Sequence, residues 1–125
     1  IIKKAGYLVL EAVISLEKGD PQAIQEKTKE LASKRTEKQP LDYPSAGSTF
    51  KRPEGYFAGK LIMDSGLRGF RVGGAQVSEK HCGFVINTGG ATAKDVKELM
   101  DHVIRTVKEK YNITLEPEVK FLGEF

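Results

Sequence analysis

The chain contains one cysteine and no tryptophan. With Cys82 alone no intrachain disulfide can form, which excludes the small disulfide-stapled secreted scaffolds and suits a reducing cytosol. Histidine is almost as scarce. His81, His102 and the single thiol have no zinc-ligand spacing, so no metal is expected. No apolar run approaches the ~20 residues needed to cross a bilayer, so no membrane partner is expected either. Internal repeats and low-complexity tracts are missing. The opening Ile-Ile-Lys-Lys is neither a signal nor a transit peptide, and a first residue of Ile1 leads us to expect a chain that starts partway through a larger protein. Phosphate cradles are lacking too: there is no G-x-G-x-x-G, and Gly55-Tyr-Phe-Ala-Gly59-Lys60-Leu61 has the wrong spacer and no Ser or Thr after its lysine.

What is present fits a soluble globular domain. Of the 125 residues 39% are hydrophobic and 30% charged, enough for one domain with a core and too few for two of ordinary size. Twenty Lys and Arg against 17 Asp and Glu give a formal charge of +3, which suits a small anionic ligand without demanding nucleic acid. Asn112-Ile113-Thr114 matches a glycosylation acceptor, but nothing else points to secretion.

Taken in order, Tyr7 to Leu16 alternates with Leu8, Leu10, Ala12, Ile14 and Leu16 on one face, which predicts a long, largely buried strand. Asp20 before Pro21 is an N-cap with a first-turn proline, opening a surface helix over Pro21 to Lys34 with a thin stripe of Ile24, Thr28 and Leu31. Ser33 to Gln39 is a cationic exit. Tyr56 to Gly66 predicts one short helix, with Ala58, Leu61 and Ile62 at helical spacing and Gly66 as its cap. Phe70–Val72, Ala75–Ser78 and Phe84–Asn87 are short β candidates divided by glycine-rich turns. Thr92 with Asp95 forms a variant capping box, and Val96, Leu99, Met100, Val103, Ile104, Val107 and Tyr111 give the strongest helical period, closed by Asn112. A last strand is expected over Glu118 to Leu122. The fold class is α+β: a small mixed or antiparallel sheet packed against two longer helices and one short helix.

Four features are candidates for chemistry. Pro44 to Pro53, Pro-Ser-Ala-Gly-Ser-Thr-Phe-Lys-Arg-Pro, reads as a tight loop in which prolines restrict both ends, Gly47 permits a turn, and the Ser48 hydroxyl is presented beside Lys51 and Arg52. Such clusters usually only connect elements. The others are the cationic approach of Lys38, Lys51 and Arg52, the segment Gln76 to His81, and the pair Glu116 and Glu118, whose ordinary reading is a solvated edge. A Cys-His nucleophile from His81 and Cys82 is disfavoured, because neighbours on a strand point to opposite faces. A serine hydroxyl is a poor acid in water. Ser48 could therefore donate only to a strongly basic carbon or oxygen created during a reaction.

Pro-Ser-Ala-Gly-Ser-Thr-Phe-Lys-Arg-Pro at 44–53, Gly-Gly-Ala-Gln-Val-Ser at 73–78, Gly-Phe-Val-Ile-Asn at 83–87, Ala-Thr-Ala-Lys-Asp at 91–95 and Leu-Glu-Pro-Glu-Val at 115–119 occur in this order. Together they resemble the C-terminal part of UDP-N-acetylenolpyruvoylglucosamine reductase, the flavoenzyme that makes UDP-N-acetylmuramate for bacterial peptidoglycan, over essentially the whole chain. The resemblance implies a cytoplasmic, bacterial oxidoreductase in which NADPH reduces FAD and hydride then passes to the enolpyruvyl group. It implies that Ser48 protonates the resulting carbanion or enolate, and that Glu118 stabilises the enolic intermediate. Lys38 and Arg52 match positions that face the diphosphate or carboxylate of the substrate, and a glutamine contact of some members falls at His81. The tyrosine-bearing insertion of some members is not visible.

The same resemblance places the main FAD-binding domain, and an arginine in a Tyr-Arg-x-Ser motif, outside this sequence. Residues 1–16 would be the final strand of the FAD-binding domain and 17–125 the substrate-binding domain. The 125 residues alone are then expected neither to hold FAD nor to turn over substrate. The competing reading is a small basic α+β module for anionic ligands or nucleic acid, suggested by the charge and by Lys51, Arg52, Arg68 and Arg71.

Overall fold

A computed structural model describes residues 9–123. The chain divides into two units, Ile1–Ala32 and Ser33–Phe125. In the first, the part of the expected strand that is described, residues 9–16, forms no strand, and Leu10 and Val13 are each 88% exposed. Tyr7 and Leu8 lie outside the described residues. Alternation states which side chains could share a face, but a strand also needs a neighbour to pair with, and among the described residues this segment has none.

Helix α1, Pro21–Lys38, begins as its sequence dictates: Asp20 Oδ1 accepts the Gln22 N–H at 2.9 Å and Pro21 occupies the first turn. It runs four residues beyond the expected end at Lys34. Lys, Arg and Glu propagate a helix readily, and Arg35 and Lys38 in the last turn complement its dipole. It buries no side chain; Ile24 and Leu31 are both exposed.

The second unit is built on a four-stranded, wholly antiparallel sheet of β1 (Ser45–Ser48), β2 (Arg71–Val72), β3 (Ala75–Val77) and β4 (Phe84–Asn87), in the order β1-β4-β3-β2. β2 and β3 are joined by the two-residue turn Gly73-Gly74, with Gly73 at φ 53°, the left-handed conformation such a hairpin requires. The short helix α2 (Ala58–Asp64) lies between β1 and β2 in the chain and the long helix α3 (Ala93–Tyr111) follows β4, so the α+β class stands.

α3 is the element that the sequence specifies most fully. Thr92 accepts from the Asp95 N–H at 3.1 Å, Asp95 accepts from the Thr92 N–H at 2.9 Å, and Asn112 ends the helix at φ 55°. Its stripe of Leu99, Met100, Val103 and Val107 is buried against β2 and β3, joined by Leu61 and Ile62 of α2 and by Phe50, Leu67, Ala75, Val77, Val85 and Leu115. Each fully buried Leu or Val contributes about 1.5–3 kcal/mol. Tyr111, the end of the expected stripe, is 39% exposed.

Two further expectations are corrected. Residues 45–48 are a strand rather than a loop: Ser45 pairs with Ile86 and Ser48 with Phe84, so three steps along β1 match two along β4 and the strand carries a bulge, with Gly47 at φ 82°. Ser, Ala and Gly favour turns in isolation, and here pairing with the apolar β4 overrides that preference. The expected C-terminal strand is reduced to one bridge, Phe50 to Pro117, flanked by Lys51 N–H to Glu116 O at 2.8 Å and Glu118 N–H to Thr49 O at 2.9 Å. Pro117 has no N–H with which to extend the ladder.

Candidate active site

Past the bulge the chain runs extended, and at period two Ser48, Phe50 and Arg52 line one cleft of about 420 Å³. Lys51, between them, instead forms an ion pair with Glu116. The Phe50–Pro117 bridge brings the C-terminal segment alongside, and Glu118 lines the same cleft. Glu116 and Glu118, two apart in sequence, therefore serve different surfaces.

The opposite wall comes from α2 and from the turn between β3 and β4. Phe57, at the N-terminus of α2, lies under the Arg52 guanidinium at 4.0 Å from its ring centroid, a cation–π contact worth about 0.5–1 kcal/mol at an exposed site. This holds the cation in place while leaving its N–H groups at the rim.

His81 is set by three neighbours. The buried Ser78 hydroxyl oxygen accepts from both the Lys80 and the His81 N–H at 3.2 Å, folding the turn. Nδ1 of His81 accepts the Gly83 N–H at 3.1 Å, which leaves Nε2 to carry the proton of the neutral ring. Phe84 meets the ring edge-on at 5.0 Å. A Cβ at Gly83 would sit 2.9 Å from His81 Cε1 and force the ring to shift, and one at Gly59 of α2 would sit 3.1 Å from the Gly83 nitrogen, a tight backbone approach.

Of the residues singled out in the sequence, the structure gathers Ser48, Arg52, His81 and Glu118 around this cleft. It does not bring Lys38 there: that lysine ends α1. The lining lysines are Lys60, not among the sequence candidates, and Lys80, which lies in the candidate segment Gln76 to His81. Lys60 is paired with Asp64 at 2.8 Å, and the Asp64 carboxylate holds its ammonium above the ordinary lysine value. Lys80 donates to the Thr36 carbonyl at 2.6 Å. Arg68, next to the cleft floor, donates to Met63 Sδ at 3.0 Å. The only further signal for these three lay in their being cations near turns, which sequence shares with many surface residues. Arg52, Lys60, Arg68 and Lys80 face a single carboxylate, Glu118, so the lining favours an anion.

His81 and Cys82 both line the cleft, because they lie in a turn and strand alternation does not apply. Burial pushes the Cys82 thiol up, only partly countered by Arg68, which makes it a poor nucleophile at neutral pH. Among the described residues no group of His, Cys, Asp and Glu could hold a metal, and no helix is long and apolar enough to cross a membrane.

No open cradle for a dinucleotide is formed by the glycine-rich turns. A Cβ at Gly74 would lie 2.5 Å from the Ala91 nitrogen and one at Gly73 2.5 Å from the Asp95 carboxyl carbon, so that turn is closed by the chain itself. Gly89 and Ala91 N–H groups are taken by Asn87 Oδ1, and the start of α3 by its own capping box. The turns at residues 73–74 and 89–91 therefore present no set of free N–H groups to cradle the FAD pyrophosphate.

Residues 39–122 match the family model described as UDP-N-acetylenolpyruvoylglucosamine reductase, C-terminal domain. Proteins named UDP-N-acetylenolpyruvoylglucosamine reductase from Lachnoclostridium phytofermentans and Caldanaerobacter subterraneus subsp. tengcongensis are 68% and 57% identical over 99% of this chain, which spans 40% and 41% of their lengths. The crystal structure of UDP-N-acetylenolpyruvylglucosamine reductase from Thermus caldophilus superposes with a TM-score of 0.65 at 38% identity, covering 83% of this chain and 37% of that one. The chain thus spans about two fifths of the relatives it matches, and across that span it belongs to the C-terminal domain family of UDP-N-acetylenolpyruvoylglucosamine reductase.

Proposed function

We propose that the whole protein is a cytoplasmic bacterial flavoenzyme that reduces UDP-N-acetylglucosamine enolpyruvate to UDP-N-acetylmuramate for peptidoglycan, using NADPH through FAD, and that residues 17–125 are its substrate-binding domain. Residues 1–16 would complete the FAD-binding domain as its final strand, with pairing partners elsewhere in the whole protein. The observation that carries this reading is the convergence of Ser48, Arg52, His81 and Glu118, drawn from three separate parts of the sequence, on one cation-rich cleft.

The flavin, held outside these residues, would supply hydride to the enolpyruvyl group. This chain's work concerns the carbon left carbanionic beside the substrate carboxylate. The Ser48 Oγ–H bond breaks and a C–H bond forms; the serine alkoxide is then reprotonated from solvent. An enolate carbon is basic enough to make that transfer favourable, which removes the objection that serine is a weak acid. Glu118, on the segment bridged alongside Ser48, stabilises the enolic intermediate. Arg52, oriented by Phe57, and His81, through Nε2–H, hold the anionic groups of the substrate. Fixed donors near developing charge usually contribute most to catalysis.

Titrating the protein with the UDP-sugar substrate and with single-stranded nucleic acid tests the reading. Preference for the UDP-sugar is expected. Preference for nucleic acid would favour a basic binding module instead. These 125 residues, purified alone, should carry no flavin absorbance; co-purified flavin would contradict the division of labour.

A further inference from the structure

Between the two residues assigned to the chemistry lies a third that no reading of the reaction uses. Thr49 is 2% exposed, yet it is polar, and its N–H, its carbonyl and its side-chain oxygen each make a hydrogen bond. Its N–H donates to the Gly83 carbonyl at 2.9 Å. Its carbonyl accepts the Glu118 N–H at 2.9 Å. Its side-chain Oγ1 accepts the Val85 N–H at 2.9 Å, a bond between β1 and β4 made by a side chain just past the bulge. Gly83 in turn donates to His81 Nδ1. One residue thus joins Ser48 by a peptide bond, Glu118 by its carbonyl, and the His81 turn by its amide.

The bulge makes the side chain matter. Ser45–Ser48 is short, polar and contains a glycine, a strand whose own pattern specifies register weakly, and the Oγ1 bond to Val85 just past the bulge favours the one position observed. We propose that Thr49 is a positioning residue for the reaction: its hydroxyl fixes the end of bulged β1 on β4 and so sets where Ser48 stands relative to Glu118. The inference rests on the proposed roles of Ser48 and Glu118 and deepens them. Thr49 itself does not line the cleft.

The test is made in the full-length protein with Thr49→Val, which keeps the shape and removes the acceptor, and with Thr49→Ser, which keeps the acceptor. Thr49→Val should slow flavin reoxidation by the enolpyruvyl substrate at least tenfold, leave flavin reduction by NADPH unchanged, and alter KM less than threefold. Thr49→Ser should restore reoxidation to within threefold of the parent. Amide hydrogen exchange at Val85 should quicken in the valine variant and stay slow in the serine variant, a readout independent of turnover. If Thr49→Val does not fold, Thr49→Ala against Thr49→Ser makes the same comparison, since both lack the methyl and only serine keeps the hydroxyl. Folded variants without the hydroxyl that reoxidise flavin at the parent rate would reduce Thr49 to a structural residue and overturn the proposal. Ser48→Ala measured in parallel separates the two failures: parent-like reoxidation in that variant removes the acid role itself and the Thr49 inference with it, whereas a slow Ser48→Ala beside a parent-like Thr49→Val overturns the Thr49 inference alone.

Discussion

Gly83→Ala should damage the site through His81 while leaving Ser48 and Glu118 unaltered. Gly83 does not have a positive φ, so its backbone accepts alanine. The added Cβ would lie 2.9 Å from His81 Cε1 and 3.1 Å from Nδ1, well inside ordinary contact, and the ring must swing away. Its bond from the Gly83 N–H is then lost, and that amide is buried. Orphaning a buried N–H costs about 1–3 kcal/mol. Replacing glycine by alanine returns about 0.4–1 kcal/mol through the unfolded chain, so the net loss of stability should be about 1–2 kcal/mol. Because the ring also leaves the cleft, KM for the enolpyruvyl substrate should rise about five- to tenfold, the worth of one hydrogen bond near 1 kcal/mol. The assay is a double-mutant cycle with His81→Ala, read by thermal unfolding and by KM. With the ring already removed there is nothing for the new methyl to strike, and Gly83→Ala should be nearly silent. An equal loss in both backgrounds would refute the reasoning, since the clash would then be with something other than His81.

Other outcomes follow from the same geometry. Glu118→Gln in the full-length protein should leave flavin reduction by NADPH intact and slow the reaction with the enolpyruvyl substrate about 10²-fold; a normal second half reaction by stopped flow would reject its role. Thr92→Ala should lower stability by about 1 kcal/mol and the melting temperature by about 3–5 °C, measured by circular dichroism. Hydrogen bonds from the Thr92 backbone hold the Asp95 carboxyl below the ordinary aspartate value, so the stability it contributes is present at neutral pH and is lost as pH falls through that lowered value; Asp95→Asn should flatten the acid limb of the stability curve.

How far sequence carried the account differs from element to element. α3 was legible because three independent signals agreed: a capping box at Thr92 and Asp95, a seven-residue apolar stripe, and Asn112 in the left-handed conformation. β4 was legible because Phe-Val-Ile-Asn is an apolar, β-branched run between turns. Residues 9–16 show the same kind of pattern and form no strand, since pattern reports a face and pairing requires a partner. Ser45–Ser48 failed in the opposite direction. Its composition reads as a turn, and only the neighbouring β4 makes it a strand.

The cleft was legible in part. Ser48 stood out through its prolines and glycine and Arg52 as a cation beside it; the resemblance singled out His81 within Gln76–His81 and Glu118 from the pair with Glu116, whose ordinary reading is a solvated edge. Lys80 lies in the Gln76–His81 segment, Arg68 among the basic residues and Thr49 in the 44–53 motif that the sequence singles out, but the contacts that place them, across 44, 14 and 69 positions to Thr36, Cys82 and Glu118 respectively, were not legible there. Contacts of that range are fixed by tertiary pairing.

The central claim is that Ser48 is the proton donor of a cleft that receives an enolpyruvyl UDP-sugar. It is tested most directly by measuring the two half reactions of the full-length Ser48→Ala protein separately, by following flavin absorbance. Reduction by NADPH at the parent rate, with reoxidation by the enolpyruvyl substrate slowed about 10²-fold or more, is the expected result. Equal slowing of both half reactions, or of neither, would contradict it.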